Sequence, residues 1–214
     1  MKDNLGCFDW SASFYNETRA LPSGLYQDIS NSLKETVPLS LSMKCLEIGV
    51  GTGRIAHCIA NAFSTEVYGV GISQSMLHQC LKNPAVSETL ALIAADGNHL
   101  PFKSKFDLIL TSHVLHQVKD HFQLVGSILN SLSSSGVYID LNAYIDHEQS
   151  LPFKIFYERL LEEGYRHYFK NDSIRKGLKV FFSQRGWIYR ELNLKRSYSI
   201  TINTLVRFLK NKVF

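Results

Sequence analysis

Short apolar runs alternate with helical patterns through the first two-thirds of the chain. Five runs have the length and composition of buried strands, and they cover residues 44–49, 66–72, 89–95, 106–111 and 136–141. Helices are predicted around and between these strands over residues 21–36, 54–63, 74–82 and 119–132. This alternation predicts an α/β fold, with a doubly wound, mostly parallel sheet that helices cover on both faces.

The pattern changes after residue 144. Residues 151–163, 171–184 and 201–212 are predicted as helices, and 187–194 as a strand. This region is basic, because residues 151–214 carry a net charge of +9 and residues 1–150 a net charge of −5, within a total of +4. About 65 residues bury little apolar surface by themselves. We therefore interpret residues 1–145 as the core domain and residues 146–214 as a mostly helical cover over its ligand edge, not as an independent domain.

Composition excludes several classes of protein. The chain has 214 residues, of which 45% are hydrophobic and 20% charged, close to the average for globular domains and far from disordered or collagen-like sequences. Its four cysteines are widely spaced without a CxxC pair, so neither a structural zinc site nor a disulfide framework is expected. The N-terminus lacks the apolar core of a signal peptide, and no window reaches the roughly 18 apolar residues of a membrane span. We therefore expect a cytoplasmic protein, and its oligomeric state is left open.

A glycine-rich stretch lies where the first predicted strand turns into a helix. Gly49 and Gly51 allow a tight turn and the close approach of a ligand, and the following helix presents free N–H groups. Gly53 comes one position too early for the G-x-G-x-x-G pattern of dinucleotide sites, which disfavours NAD. The carboxylate of Glu47 beside the turn suits a cationic amino or sulfonium group better than a pyrophosphate. A glycine-rich turn that binds no ligand is the alternative.

These residues, with others along the chain, resemble a known family. The E-x-G-x-G-x-G pattern resembles motif I of the class I S-adenosylmethionine (SAM)-dependent methyltransferases. Residues 8–19 (FDWSASFYNETR) look like the lead-in of small-molecule methyltransferases of the ubiquinone-biosynthesis-like type. Residues 67–77, 94–102 and 106–109 resemble the motifs of the second, third and fourth strands, so that the match covers roughly residues 8–145. The resemblance implies a Rossmann-like fold, SAM as cofactor, S-adenosylhomocysteine (SAH) as product and a small-molecule methyl acceptor.

The resemblance also implies a set of cofactor-binding residues. They come from the lead-in and from the ends of the predicted strands: Tyr15, Arg19, Glu47, Gly49, Gly51, Gly53, Gly71, Ile72, Ser73, Met76, Asp96, Gly97, Ser112 and His113. The three glycines of motif I would form the floor under the methionine part of SAM, with Glu47 beneath it. Asp96 would accept a hydrogen bond from the adenine amino group, with Gly97 beside it.

The remaining implied residues surround the reacting methyl group. Ser112 and His113 would line the bottom of the methyl-transfer pocket, Met76 would pack near the adenine or ribose, and Tyr15 and Arg19 would close the site. A purely structural role remains open for these residues. His113 and His116 are the candidate catalytic residues, because a neutral imidazole there could take a proton from a hydroxyl acceptor. No metal site is predicted.

Gly71 departs from the family pattern. The family usually has Asp or Glu at this end of the second strand, where the carboxylate holds both ribose hydroxyls. Loss of two hydrogen bonds to a charged acceptor costs on the order of 2–4 kcal/mol, unless water, Ser73 or Gln74 compensates. Two alternatives follow: a weakened or non-catalytic protein that binds a ligand or partner, or a site adapted to a different ligand pose or to another part of the chain that fills the ribose position.

The acceptor is not identified by the sequence. Residues 111–114 are TSHV, unlike the N/D-P-P-Y/F motif that methylates exocyclic base amines, and no catalytic cysteine lies in that loop, so nucleic-acid bases are disfavoured. Basic and aromatic residues after residue 150 favour an anionic or aromatic small molecule. RNA binding through the basic region is the alternative, and it would be strongly salt-dependent. Members of the family also end with an antiparallel strand pair. We expect this chain to lack that pair, through truncation or natural shortening, and the missing strands would leave a sheet edge exposed.

Overall fold

The computed structural model describes residues 8–19, 21, 24–37, 43–82, 90–142, 155, 158–159, 162 and 171–192. The elements follow in this order: a 3-10 turn (Ala12–Phe14), α1 (Tyr15–Thr18), α2 (Leu25–Thr36), β1 (Cys45–Ile48), α3 (Arg54–Phe63), β2 (Val67–Gly71), α4 (Gln74–Leu81), β3 (Leu90–Ala94), β4 (Phe106–Ser112), α5 (His121–Ser131), β5 (Leu132–Leu141) and α6 (Asn171–Ser183).

The five strands form one parallel sheet in the order β3-β2-β1-β4-β5. This confirms the predicted doubly wound, Rossmann-like fold and all five predicted strands. All four residues of the central strand β1 are buried, as expected for a strand with helices on both faces. The order reverses direction between β1 and β4, and in sheets of this kind ligands bind at the carboxyl ends of the strands beside that reversal.

β5 begins earlier than predicted, at Leu132 instead of residue 136. Its pairing with β4 shifts register between Phe106 and Leu108. Gly136 lies at this irregularity, where an added Cβ would be only 2.9 Å from the carbonyl oxygen of Phe106. Gly136 thus lets the backbones of β4 and β5 approach closely, which a side chain would prevent. This close approach accounts for the additional residues at the start of β5.

Apolar side chains of the sheet pack in two layers. On one face, side chains of α2, α3 and α4 form a core with Cys45 and Val67. On the other face, Leu46 and Ile109 pack with α5 and α6. Neighbouring residues of β1 thus belong to opposite cores, which follows from the period of two in a strand.

Helix α6 lies on the face of the sheet beside α5. Its buried residues Ile174, Leu178 and Phe182 are four apart and join the core of that face. The predicted strand over 187–194 is wrong for residues 187–192, which form no strand. Instead, a turn after α6 brings the chain back onto the helix, where the ring of Tyr189 stacks on that of Phe182 with centroids 6.0 Å apart.

The interpretation of residues 146–214 as a cover over the ligand edge stays a prediction. The predicted helix over 201–212 and the terminal strand pair lie outside the described residues, and so does most of the predicted helix over 151–163. Among the helices in the described ranges, none is both long and apolar enough to cross a membrane.

Candidate functional site

The glycine loop lies between β1 and α3, at the carboxyl edge of the sheet. Gly49, Gly51 and Gly53 all have left-handed backbone, with φ of +77°, +55° and +81°. The loop is fixed to β2 because the N–H of Gly49 donates to the carbonyl of Val70 at 2.8 Å. An added Cβ at Gly51 would meet no atom of the described residues closer than 3.8 Å. The loop is therefore a rigid cradle with open space above Gly51.

Glu47 lies buried beneath this cradle, with 2% of its surface exposed. Burial raises the pKa of its carboxyl to about 8, although the backbone N–H of Ala56 and the charge of Arg54 act in the opposite direction. Its Oε2 atom has no hydrogen-bond partner within the described ranges. A buried carboxyl that keeps an unpaired oxygen is costly, and such groups are concentrated at functional sites.

Residues 8–19, the lead-in segment, are anchored on the cradle. The hydroxyl of Thr52 donates to Asn16 Oδ1 at 2.6 Å. The Arg54 guanidinium lies 5.1 Å from the ring centroid of Tyr15 and donates to the backbone carbonyl of Arg19. Tyr15 and Arg19 therefore lie beside the glycine loop, and their role in closing a cofactor site stays a prediction.

The end of β2 combines an exposed apolar residue with a helix cap. Ile72 is 47% exposed although it directly follows a buried strand. The hydroxyl of Ser73 accepts a hydrogen bond from the backbone N–H of Met76 at 3.2 Å and thereby caps α4. Met76 itself is buried, with 3% exposed. Gly71 ends the strand and is buried.

Asp96 lies in the loop after β3, with about a third of its side chain (35%) exposed. Its Oδ1 accepts hydrogen bonds from the backbone N–H and the side-chain amide of Asn98, and its Oδ2 lies 3.9 Å from His99 Nδ1. An added Cβ at Gly97 would be 2.6 Å from Ile48 Cγ2, so this glycine lets the loop pack on β1. Asn98 was not predicted as a site residue, yet its Oδ1 is buried with no partner in the described part of the chain.

The end of β4 holds a strained histidine. His113 follows Ser112 and has φ of +55°, which is uncommon for a residue other than glycine. Its N–H donates to the carbonyl of Leu141, and its own carbonyl accepts from the Gln117 side chain at 2.6 Å. The rings of His113 and His116 lie 6.2 Å apart. Backbone strain held in place by hydrogen bonds is typical of active sites.

Both histidines at this position are neutral at pH 7. Burial, followed by the positive charges near it on His116, Arg19 and Arg54, lowers the pKa of His113 to about 4. Burial also lowers the pKa of His116. A neutral imidazole can accept a proton or a hydrogen bond, which a protonated one cannot.

This low pKa predicts an acid-sensitive fold. Between pH 6.5 and about 4 an unfolded His113 binds a proton that the folded protein excludes, so the free energy of unfolding falls as the pH falls. His113→Asn, which tolerates the left-handed backbone, should reduce this fall by about 1–3 kcal/mol, as measured by urea unfolding at pH 7.5 and 4.5. If His113→Asn left the pH dependence of the stability unchanged, the lowered pKa of His113 would be contradicted.

A polar network at the ends of β4 and β5 was missed by the sequence interpretation. The Thr111 hydroxyl donates to Asp140 Oδ1 at 2.8 Å and lies 2.8 Å from the Tyr138 hydroxyl, which must then donate to it. Burial raises the pKa of Asp140 despite hydrogen bonds from Thr111 and Asn142. The available signal was the alternation at the end of β5, where Tyr138, Asp140 and Asn142 are separated by apolar residues.

Known proteins resemble this chain in sequence over its central part. Residues 46–139 match the family described as "Methyltransferase domain". An uncharacterized protein from Haemophilus influenzae is 27% identical over 153 residues, which cover 65% of this chain. The match spans 58% of that relative, less than two thirds of its length.

Solved structures share the fold. The crystal structure of a candidate SAM-dependent methyltransferase from Methanococcus maripaludis has a TM-score of 0.64 at 17% identity, over 91% of this chain and 88% of that one. A SAM-dependent methyltransferase from Clostridium acetobutylicum has a TM-score of 0.51 at 23% identity, over 68% of this chain and 61% of that one. Residues 46–139 are therefore similar to the methyltransferase domain family, and the chain shares the fold of SAM-dependent methyltransferases of known structure.

Proposed function

We propose that this protein binds SAM and transfers its methyl group to a small-molecule acceptor. The observation that carries the proposal is the cradle of three left-handed glycines, open above Gly51 and underlain by the buried Glu47. Several other features of this edge fit such a ligand. Ile72 offers an exposed apolar side chain for an adenine ring to cover, and within the described residues Glu47 Oε2 and Asn98 Oδ1 have no hydrogen-bond partner.

In this proposal each part of the site contacts a different part of SAM. The glycine loop holds the methionine part, with the buried Glu47 beneath it. Asp96 and Gly97 contact the adenine, and Ile72 and Met76 pack beside it. Ser73 caps α4 near the ribose. Tyr15 and Arg19 close the site from the lead-in segment.

When bound, SAM supplies an electrophilic methyl group on a sulfonium sulfur. The protein's part is to bind and orient the acceptor at the ends of β4 and β5, where Ser112, His113 and His116 lie. Because His113 is neutral at pH 7, its imidazole can accept a hydrogen bond from a hydroxyl acceptor and orient it, whereas a pKa near 4 makes it a weak base for removing the proton. Holding two reactants in the correct orientation contributes roughly 7–11 kcal/mol in favourable cases.

The proposal is tested by calorimetry with SAM, SAH and NAD. We expect SAM and SAH to bind with micromolar affinity and NAD not to bind. Failure of both SAM and SAH to bind at millimolar concentration would reject the proposal. Whether the acceptor is anionic or aromatic stays a prediction, as does the cytoplasmic location.

Asp96→Ala should weaken SAH binding by about 1–3 kcal/mol, because one acceptor for the adenine amino group is lost. The substitution also removes the two hydrogen bonds that Asn98 donates to Asp96, so urea unfolding is measured in parallel to check that the fold is retained. Lys103→Ala, on the loop between β3 and β4, serves as the matched control. Unchanged SAH affinity in a folded Asp96→Ala variant would show that the adenine lies elsewhere.

A non-catalytic binding protein with the same fold is the second candidate, and Gly71 is the observation that favours it. The two candidates differ in turnover and not in binding. Incubation with SAM and extracts of small metabolites, followed by measurement of SAH formation, separates them. Micromolar SAM binding without SAH formation above that of a denatured control would favour the second candidate.

A further inference from the structure

The end of β2 has no carboxylate of its own, but the lead-in segment brings one to it. We infer that Asp9 is the residue that binds the ribose hydroxyls of SAM, in place of the acidic residue that Gly71 replaces. The inference rests on the proposed function and names a further binding residue for it.

Gly71 lies in surroundings that are unsuited to a carboxylate. An added Cβ would be 3.1 Å from Leu77 Cδ2 and 3.5 Å from Val50 Cγ1. Both atoms are apolar, and the residue is buried. A charged side chain that begins there would lose hydration without gaining a hydrogen-bond donor from these neighbours. The ribose position therefore needs an acceptor from elsewhere in the chain.

Asp9 is held by a hydrogen bond to Ser73, which follows Gly71 by two residues. The Ser73 hydroxyl donates to Asp9 Oδ1 at 2.6 Å. The same hydroxyl accepts from the backbone N–H of Met76, so its only proton is committed to Asp9. The carboxylate thus lies at the N-terminus of α4, where the helix dipole favours a negative charge.

The Asp9 carboxylate is accessible to a ligand. Asp9 is exposed, whereas Ser73 beneath it is 5% exposed. Asp9 lines a cleft of about 500 Å³ between the lead-in segment and α4, with Ser13, Gln74 and Ser75 among the other lining residues. Its position does not depend on Ser73 alone, because the bond between Thr52 and Asn16 ties the same segment to the glycine loop.

The Asp9 carboxylate has the acceptors that a vicinal diol requires. Two neighbouring hydroxyls of a ribose can donate to the two oxygens of one carboxylate, and hydrogen bonds to a charged acceptor are about twice as strong as neutral ones. With Oδ1 already accepting from Ser73, its second lone pair and Oδ2 are the acceptors left for these hydroxyls. The Ser73 hydroxyl is a weaker partner for a diol, because it is neutral and one of its two lone pairs already accepts from the backbone N–H of Met76.

The test is a double comparison by calorimetry. Wild type and Asp9→Asn are each titrated with SAH and with the 2′-deoxy analogue of SAH. Asn keeps an oxygen for the Ser73 hydroxyl, so the anchoring bond is preserved while the charge is removed. Glu17→Gln removes a second exposed carboxylate from the same segment and is the matched control.

We expect Asp9→Asn to weaken SAH binding about tenfold, which corresponds to about 1.4 kcal/mol, and to weaken the 2′-deoxy analogue much less. Glu17→Gln should leave both affinities unchanged. Equal SAH affinity of wild type and Asp9→Asn would overturn the inference. An equal loss for both ligands would overturn it as well, because Asp9 would then only position the segment. Failure of wild type to bind SAH at all would instead reject the proposed function, and this inference with it.

Discussion

Glu47→Gln is expected to remove a steep pH dependence from the stability of this protein. In wild type the folded carboxyl keeps its proton up to about pH 8, whereas the unfolded one loses it near pH 4.5. Between these values the unfolded state binds fewer protons, so the free energy of unfolding falls as the pH rises, by up to about 1.4 kcal/mol per pH unit. The slope is opposite in sign to that of His113, and the two partly cancel between pH 4.5 and 6.5.

The difference between wild type and variant isolates the contribution of Glu47. Urea unfolding at pH 5, 6.5 and 8 should show Glu47→Gln becoming progressively more stable relative to wild type, by about 3–4 kcal/mol over the whole range. Glu66→Gln, at the exposed start of the segment before β2, controls for the loss of one negative charge. A pH-independent difference between wild type and Glu47→Gln would contradict a protonated, buried Glu47.

Substitutions of two glycines in the cradle should separate folding from binding. Gly49→Ala places a methyl group 2.2 Å from Val114 Cγ2 at a left-handed residue, and we expect a loss of about 2–4 kcal/mol of stability. Gly51→Ala carries only the backbone strain, about 1–2 kcal/mol, because its Cβ meets nothing closer than 3.8 Å. That Cβ stands where the ligand should lie, so SAH affinity should fall by about tenfold or more.

Urea unfolding and calorimetry with SAH measure the two effects. Gly126→Ala is the control, because this glycine lies within α5 with no atom within 4 Å of an added Cβ, and the exchange should stabilise by about 0.5–1 kcal/mol. If Gly51→Ala bound SAH as tightly as wild type, the cradle could not be the floor of the cofactor site. If Gly49→Ala were as stable as Gly51→Ala, the contact with Val114 would not constrain the loop.

Local sequence determined the order and nature of the elements. Helix α3 was predicted at residues 54–63 and found at Arg54–Phe63, and all five strands were found. Such predictions succeed because the apolar period is set by the geometry of one helix or strand and needs no knowledge of its neighbours. The glycine pattern likewise located the cradle, since left-handed backbone at three nearby positions can be built only with few residue types.

The predicted strand over residues 187–192 failed for the opposite reason. Its alternating aromatic and apolar residues suit a strand, but the turn at Gly186 directs Tyr189 onto Phe182 of α6. An aromatic residue at this spacing is buried equally well against a helix as within a sheet. Which of the two occurs depends on where the chain turns.

Tertiary structure alone decided the electrostatics and the contacts between distant segments. The sequence indicated a carboxylate at residue 47 and a histidine at 113, but only burial sets the pKa of Glu47 near 8 and that of His113 near 4. The approach of Asp9 to Ser73, 64 residues along the chain, likewise follows from packing of the lead-in segment on the cradle. Periodicity and motifs record the geometry of single elements, whereas desolvation and long-range hydrogen bonds depend on which elements meet.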